Sequence, residues 1–311
     1  MNALKGSKVL LGPSTFAAQD PSPIERLAAA GCEIIKNPFG RKLTKQELLE
    51  LLPGVRGLIA GLETLDEDVM RKLELKVISR CGSGLSNVDM VAAKRLGIKV
   101  FSTPNGPTSA VAELTLGAMI NLLRMVSLMD RDLHEGRWTK KIGMQLEGKT
   151  VLVIGLGRIG RKVVSLLKPF NVRLFAVDPD ISEEIDGVKI LPLDKALTEA
   201  DIITLHSSGE QQIIGDDEFR LIKRGTFLLN AARGGVINES SLIQAIESGK
   251  IAGAWLDTFS AEPYCGPLIK YPQVLLTPHV GSYTLECRRS MEMEAVENLI
   301  AAFEKIKHDE E

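Results

Sequence analysis

Three short stretches of this chain set an ionisable side chain just beyond an apolar run. FLLNAARGG carries Arg233, WLDTFSAEP carries Asp257 and Glu262, and VLLTPHVG carries His279. Short apolar runs bounded by Gly or Pro read as buried strands, and the carboxyl ends of such strands are where open α/β sheets bind ligands. Each residue alone has an ordinary explanation: Arg233 as a surface charge, Glu262 as a loop acid, His279 as a hydrogen-bonded imidazole. Together they meet a particular chemical demand. Moving a hydride to a carbonyl requires a proton donor for the developing alkoxide, and an imidazole titrates in the right range. A carboxylate beside the imidazole favours its protonated form and fixes its tautomer. A guanidinium can hold the carboxylate of a 2-oxo acid through two parallel bonds while polarising the adjacent carbonyl. Arg233, Glu262 and His279 therefore fit hydride transfer on 2-hydroxy or 2-oxo acids, with His279 as general acid/base.

A source for the hydride is written earlier in the chain. VLVIGLGRIG runs from a buried-strand pattern into Gly155-x-Gly157-x-x-Gly160, and an amphipathic helical pattern follows. The first glycine allows the tight turn, the second lets the backbone approach a pyrophosphate, and the third lets helix pack on strand. Arg158 and Ile159 complete this turn, and the phosphates would sit against the free N–H groups of the helix start. A second strand, RLFAV, ends at Asp178, near the offset at which an acid meets the adenosine ribose hydroxyls. Pro179 and Asp180 follow, with no nearby cation to receive a 2′-phosphate, so NAD is expected over NADP.

The elements that position these residues show a supersecondary rhythm. KVLLGPS, CEIIKN, GLIAG, LKVISRCG and IKVFSTP read as strands, alternating with helical patterns such as IERLAAAG, KQELLELLPG, DEDVMRKLE and DMVAAKRLG. A second series runs from Val151 through RLFAVD, DIITLH, GTFLLNAA, IAGAWLD and VLLTPH. Such alternation implies right-handed crossovers and parallel sheets, hence an α/β chain of two βα-type domains. Between the series a long helical pattern extends from about Ala110 to Arg137, apolar over most of its surface, as expected of a helix buried between domains or across a dimer interface. The chain ends in an amphipathic helical pattern and an acidic tail, HDEE, expected to be solvated.

Composition narrows the possibilities. The 311 residues suggest two domains, because single cores seldom grow past ~250–300 residues. Hydrophobic content of 44%, charged content of 25% and a net charge of −2 describe an ordinary soluble protein without an electrostatic case for nucleic acid or anionic membrane. The N-terminus lacks a signal-peptide pattern. Ala110 to Met129 is interrupted by Glu113, Asn121 and Arg124, which argues against a membrane span. Cys32, Cys81, Cys265 and Cys287 lack metal-ligand spacing, and packing is the expected role of Cys81 and Cys265. A cytoplasmic protein with free thiols is the simplest expectation.

GLGRIG, NAARGG, DTFSAEP and TPHVG resemble, in order, the signature segments of the D-isomer-specific 2-hydroxyacid dehydrogenases, and the resemblance covers almost the whole chain. It implies two Rossmann-like or flavodoxin-like domains with parallel sheets. The substrate domain would be discontinuous, residues 1–103 and 285–311, with the NAD-binding domain, residues 104–284, inserted into it and the active site in the cleft. The resemblance assigns substrate binding and carbonyl polarisation to Arg233, imidazole tuning to Glu262, and proton transfer to His279. It gives Asp257 to the nicotinamide carboxamide, the segments around His206 and Ala231 to the cofactor, and Ser83 and Gly84 to the substrate carboxylate. A homodimer acting on a small 2-hydroxy or 2-oxo acid is expected.

Departures from the family pattern narrow this further. Gly61-Leu62-Glu63-Thr64 stands where phosphoglycerate dehydrogenases often carry Arg-Ser-x-Thr, which points to a smaller or differently charged substrate. His206-Ser-Ser-Gly-Glu replaces the usual His-x-Pro-Leu-Thr, and Ser86 stands where Asp is common. No appended regulatory domain is expected after the last helix. Trp138 could close over the active site or support a dimer. The rival reading is an NAD(H)-responsive binding protein, like the corepressors built on this fold.

Overall fold

The computed structural model describes residues 4–72 and 74–310, so Leu73 of the DEDVMRKLE run and the last residue of the HDEE tail lie outside the described residues. The chain divides into two compact units, Met1–Pro107 with Tyr283–Glu311, and Thr108–Ser282.

In the first unit the order is β1 (Lys8–Leu11), α1 (Ser22–Ala29), β2 (Glu33–Lys36), α2 (Lys45–Leu51), β3 (Val55–Ala60), α3 (Glu67–Arg71), β4 (Val77–Arg80), α4 (Met90–Arg95) and β5 (Lys99–Ser102). All pairs are parallel, in the order β2-β1-β3-β4-β5, one of the two common doubly wound orders. Polar side chains start the helices. Thr44 and Glu47 form a capping box on α2, and Asp66 and Asp89 accept from Val69 N and Ala92 N on α3 and α4. One sheet face packs Leu10, Leu58, Ala60 and Ile78 against Leu48, Val69, Met70 and Ala92. The chain's last helix, Leu285–Glu310, also belongs to this unit. A Cβ at Gly57 would come within 3.1 Å of its Leu299 and Phe303 side chains, so β3 and this helix are packed to the limit a glycine allows.

The second unit opens with α5 (Pro107–Arg124) and α6 (Val126–His134) and continues through β6 (Thr150–Ile154), α7 (Arg158–Leu167), β7 (Arg173–Val177), β8 (Lys189–Ile190) and α8 (Leu193–Glu199). Then come β9 (Ile202–Leu205), α9 (Asp216–Leu221), β10 (Thr226–Asn230), α10 (Glu239–Glu247), β11 (Ile251–Leu256) and β12 (Val274–Leu276), with Leu285–Glu310 as α11. Seven parallel strands lie in the order β12-β11-β10-β9-β6-β7-β8. Successive residues feed opposite cores: Leu152, Ile154, Leu228, Ala254 and Leu256 on one face, Val151, Val153, Leu229 and Trp255 on the other. Burial on both faces explains why these strands read as unbroken apolar runs. In α7 the buried residues Gly160, Val163, Val164 and Leu167 follow helical spacing and cover β6.

One expectation is corrected. The helical pattern from Ala110 to Arg137 is two helices, bent by 66°. Met125 stands between them in the left-handed region, φ 52°, and the Asn121 side chain bonds Ser127 N at 2.9 Å and Ser127 Oγ at 2.6 Å. That side chain caps the second helix in place of the turn a continuous helix would supply. No residue of α6 is fully buried. Among the described residues no single helix is long and apolar enough to cross a membrane.

Candidate active site

Three neighbouring strand ends of the second unit carry the reactive residues. At the end of β10, the buried Asn230 shapes the turn that follows: its Oδ1 accepts from Ala232 N at 3.0 Å and its Nδ2 donates to Arg233 O at 2.8 Å. Arg233 is extended and half-buried, with Nη1 donating to Ala232 O at 2.8 Å. A Cβ on the next residue, Gly234, would overlap Phe259 C and Ser260 N. The absent side chain is what lets the Arg233 turn lie against the loop that carries Glu262.

Beyond β11, the Asp257 carboxylate is 2% exposed and accepts three bonds from the loop after β12. Its Oδ1 takes Thr277 Oγ1 at 2.6 Å and Val280 N at 2.9 Å, and its Oδ2 takes Gly281 N at 2.8 Å. Trp255 Nε1 donates to Thr277 Oγ1 at 3.0 Å. His279 lies within this clamp at φ 54°, a left-handed conformation that few non-glycine residues adopt. Its side chain remains 48% exposed, and Nδ1 faces Glu262 Oε2 at 2.9 Å and Oε1 at 3.1 Å. An ionised carboxylate only accepts, so Nδ1 carries the proton in this pair and Nε2 is the nitrogen available to a reacting oxygen. Glu262 Oε1 also accepts from Phe259 N at 3.1 Å. Tyr264 braces the same loop: its ring stacks on Phe259 at 4.3 Å, and its hydroxyl donates to Glu239 Oε1 at 2.8 Å and accepts from Leu268 N at 3.2 Å.

The glycine-rich turn sits at the β6/β9 switch point of the sheet. Gly155 has φ 94°, and a Cβ there would come within 2.9 Å of the His206–Ser207 backbone. A Cβ on Gly160 would overlap Gly155 O, while Gly157 faces open space at the N-terminus of α7 without a side-chain cap. Arg158 is exposed and Ile159 half-buried on the first turn of that helix. The Asp178 carboxylate accepts from Leu156 N at 2.7 Å and Asp180 N at 3.0 Å, which ties it to the turn. The shape fits a dinucleotide: uncapped N–H groups for a pyrophosphate, with a carboxylate beside them for a ribose. His206 presents its backbone to Gly155, and its ring is buried, with Nε2 2.9 Å from Thr204 Oγ1. Nδ1 is buried without a partner among the described residues. Burial pushes the pKa of this imidazole down to about 3, so it is neutral. Ala231, just past β10, is half-buried.

In the first unit, Ser83 is exposed and Gly84 half-buried in the loop after β4. Gly82, at φ 145°, donates to Thr103 Oγ1 at 2.7 Å, and a Cβ there would overlap the Arg80 guanidinium. Glu63 does not stand out from its loop: it is 1% exposed, whereas Leu62 is 57% exposed. Cys81 is packed, and burial pushes its thiol up to about 12, whereas Cys265 is exposed, so packing does not account for it. Trp138 is exposed. Sequence reasoning passed over Asn230, Gly234, Thr277 and the bracing role of Tyr264. The one available signal was an Asn at the end of an otherwise apolar strand.

A seven-stranded nucleotide-binding unit with an Arg turn, a Glu–His pair and a glycine-rich helix start defines a nicotinamide dinucleotide-dependent class of protein. The chain belongs to the D-isomer specific 2-hydroxyacid dehydrogenase family, whose NAD binding domain matches residues 116–281. It is 36% identical over 292 residues to the D-3-phosphoglycerate dehydrogenase of Homo sapiens, across 90% of this chain and 54% of that protein. This chain thus spans about half the length of the curated phosphoglycerate dehydrogenases of this kind. It is also 36% identical over 268 residues to the hydroxypyruvate reductase of Thermotoga maritima, across 83% of this chain and 88% of that protein. Among solved structures, the TT0316 protein of Thermus thermophilus superposes with a TM-score of 0.87 at 32% identity, covering 96% of this chain and 97% of that one.

Proposed function

We propose that this protein is an NAD-dependent oxidoreductase that interconverts a D-2-hydroxy acid and its 2-oxo acid, with His279 as general acid/base. The observation that carries this reading is the Glu262–His279 pair at 2.9 Å, on strand ends adjacent to the Arg233 turn and within the dinucleotide-binding unit. Gly155, Gly157, Arg158, Ile159 and Gly160 hold the pyrophosphate at the start of α7, and Asp178 takes the ribose hydroxyls. With Asp180 two residues away, Asp178 opposes a 2′-phosphate, so NAD is preferred to NADP. Bound nicotinamide supplies or accepts the hydride. Arg233 holds the substrate carboxylate and polarises the 2-oxo carbonyl; Ser83 and Gly84 are the substrate-binding residues that the family resemblance gives to the first unit. His279 Nε2 gives a proton to the carbonyl oxygen as it becomes an alkoxide, while Glu262 keeps the proton on Nδ1 and stabilises the imidazolium. Asp257 holds the loop that presents His279, and the family resemblance gives it the contact to the nicotinamide carboxamide.

The working assembly in this reading is a homodimer, supported by Leu133, Trp138 and Ile142, all apolar and more than half exposed. Sedimentation at equilibrium checks it. The activity is tested by NADH oxidation across glyoxylate, hydroxypyruvate, pyruvate, phosphohydroxypyruvate and branched 2-oxo acids, with NADPH in parallel. Turnover of one class is the expected result. Tight NADH binding without turnover of any acid would contradict it and favour a cofactor-sensing protein.

A further inference from the structure

In the sheet of the first unit the strand order reverses between β1 and β3, and the carboxyl ends of those two strands frame the crevice where an open sheet takes a ligand. Here that crevice is filled from within. Glu63 Oε2 accepts from Gly61 N at 2.6 Å. A Cβ at Gly12, at the end of β1, would lie 2.8 Å from Glu63 Oε1, and one at Gly61 would lie 3.1 Å from it, so two glycines make room for this carboxylate. The Glu63 loop and the Ser83–Gly84 loop form one hydrogen-bonded unit. Cys81 N donates to Ala60 O at 2.8 Å, Asn87 Nδ2 donates to Glu63 O at 2.6 Å, and Leu65 N donates to Asn87 O at 2.8 Å. Arg80 supplies the positive charge under the loop, its guanidinium lying against Gly82. Burial holds the Glu63 carboxyl above the usual carboxylate range, opposed by the Gly61 amide and by the Lys42 and Arg80 charges.

We propose that Glu63 is a specificity-determining residue, a built-in anion that occupies the crevice beside the Cys81–Gly84 loop and offsets the Arg80 charge, so that the loop selects 2-oxo acids with one carboxylate against those with a second anionic group. The inference rests on reading Ser83 and Gly84 as substrate-carboxylate contacts. With the substrate carboxylate on the loop amides, a phosphate or second carboxylate reaching the crevice meets a resident oxyanion and a guanidinium already compensated. Such like-charge juxtaposition discriminates between ligands even where the attraction is modest. The exposed Leu62 beside it offers apolar surface to an uncharged substituent.

The test compares phosphohydroxypyruvate with hydroxypyruvate, which differ by the phosphate, on the whole enzyme with NADH. In Glu63→Gln, which keeps the crevice filled and removes the charge, the ratio of kcat/KM for the phosphorylated over the unphosphorylated acid rises about tenfold. In Arg80→Met the ratio falls, and in the double variant it returns to within about twofold of wild type. Calorimetric binding of the same two acids to the NADH-loaded proteins follows the same order. An unchanged ratio in Glu63→Gln, with the protein folded by circular dichroism and active on either acid, would overturn the role of Glu63. If the wild type turns over neither acid while the binding ratio shifts as stated, the reaction assigned above fails and the selection by Glu63 stands. If the binding ratio does not shift either, both fail.

Discussion

The Asp257 carboxylate brackets His279, taking Thr277 Oγ1 two residues before it and Val280 N one residue after. A left-handed histidine is disfavoured by roughly 1–2 kcal/mol relative to ordinary backbone, and it persists where the surroundings over-determine it. Asp257→Ala leaves the Thr277 hydroxyl and the Val280 and Gly281 amides without their acceptor. The expected loss is ~2–4 kcal/mol of stability and about 10²-fold in kcat, because the imidazole is no longer held in place. Asp257→Asn, with one oxygen still accepting, loses less of both. Thermal unfolding and steady-state turnover of the pair of variants check the order.

At Gly234 two stretches of backbone approach as closely as the absence of a side chain allows. A Cβ there meets the Phe259–Ser260 main chain, which no rotamer change relieves. Gly234→Ala is expected to cost ~1–3 kcal/mol and to separate the Arg233 turn from the Glu262 loop. The measurement is KM for the 2-oxo acid, which rises while the Kd for NADH stays within about threefold.

Cofactor choice is assigned to Asp178. Replacing Asp178 with Ala and Pro179 with Arg removes one carboxylate and adds a guanidinium, which raises the ratio of NADPH to NADH kcat/KM by tenfold or more. If the preference does not move, the ribose contact lies elsewhere.

His206 gives the protein a pH-dependent stability term. In the unfolded chain its imidazole titrates near 6.5, and in the folded chain burial holds it down to about 3. Above pH 6.5 it is neutral in both states and contributes nothing. Between 6.5 and 3 the unfolded chain binds a proton that the native protein does not, so stability falls with pH by up to ~1.4 kcal/mol per unit. His206→Gln is expected to lose less in melting temperature between pH 7.5 and 5.5 than the wild type.

Much of this architecture is local in origin and therefore readable. Continuous apolar runs such as TFLLN and TVLVI mark strands buried on both faces, and Gly160 answers a contact within one βα unit, since a Cβ there would overlap Gly155 O. What escaped the sequence depends on distant partners. Met125 is no helix breaker by type, and the bend there follows from the bond of Asn121 to Ser127. The burial of Glu63 is not written in GLET: Gly12, about fifty residues earlier and just past β1, makes room for it. The two-residue β8 is too short to show a period. Asn230 and Tyr264 act by holding other loops, a role that composition does not announce.

The most direct test of the central claim is His279→Asn, measured for NADH binding by fluorescence and for turnover of the 2-oxo acid the wild type uses best. The account requires NADH affinity within about threefold of wild type and a turnover lowered by roughly 10²–10⁴-fold, the range for a lost general acid/base. Turnover unchanged within error would remove His279 from the proton transfer and with it the mechanism proposed here.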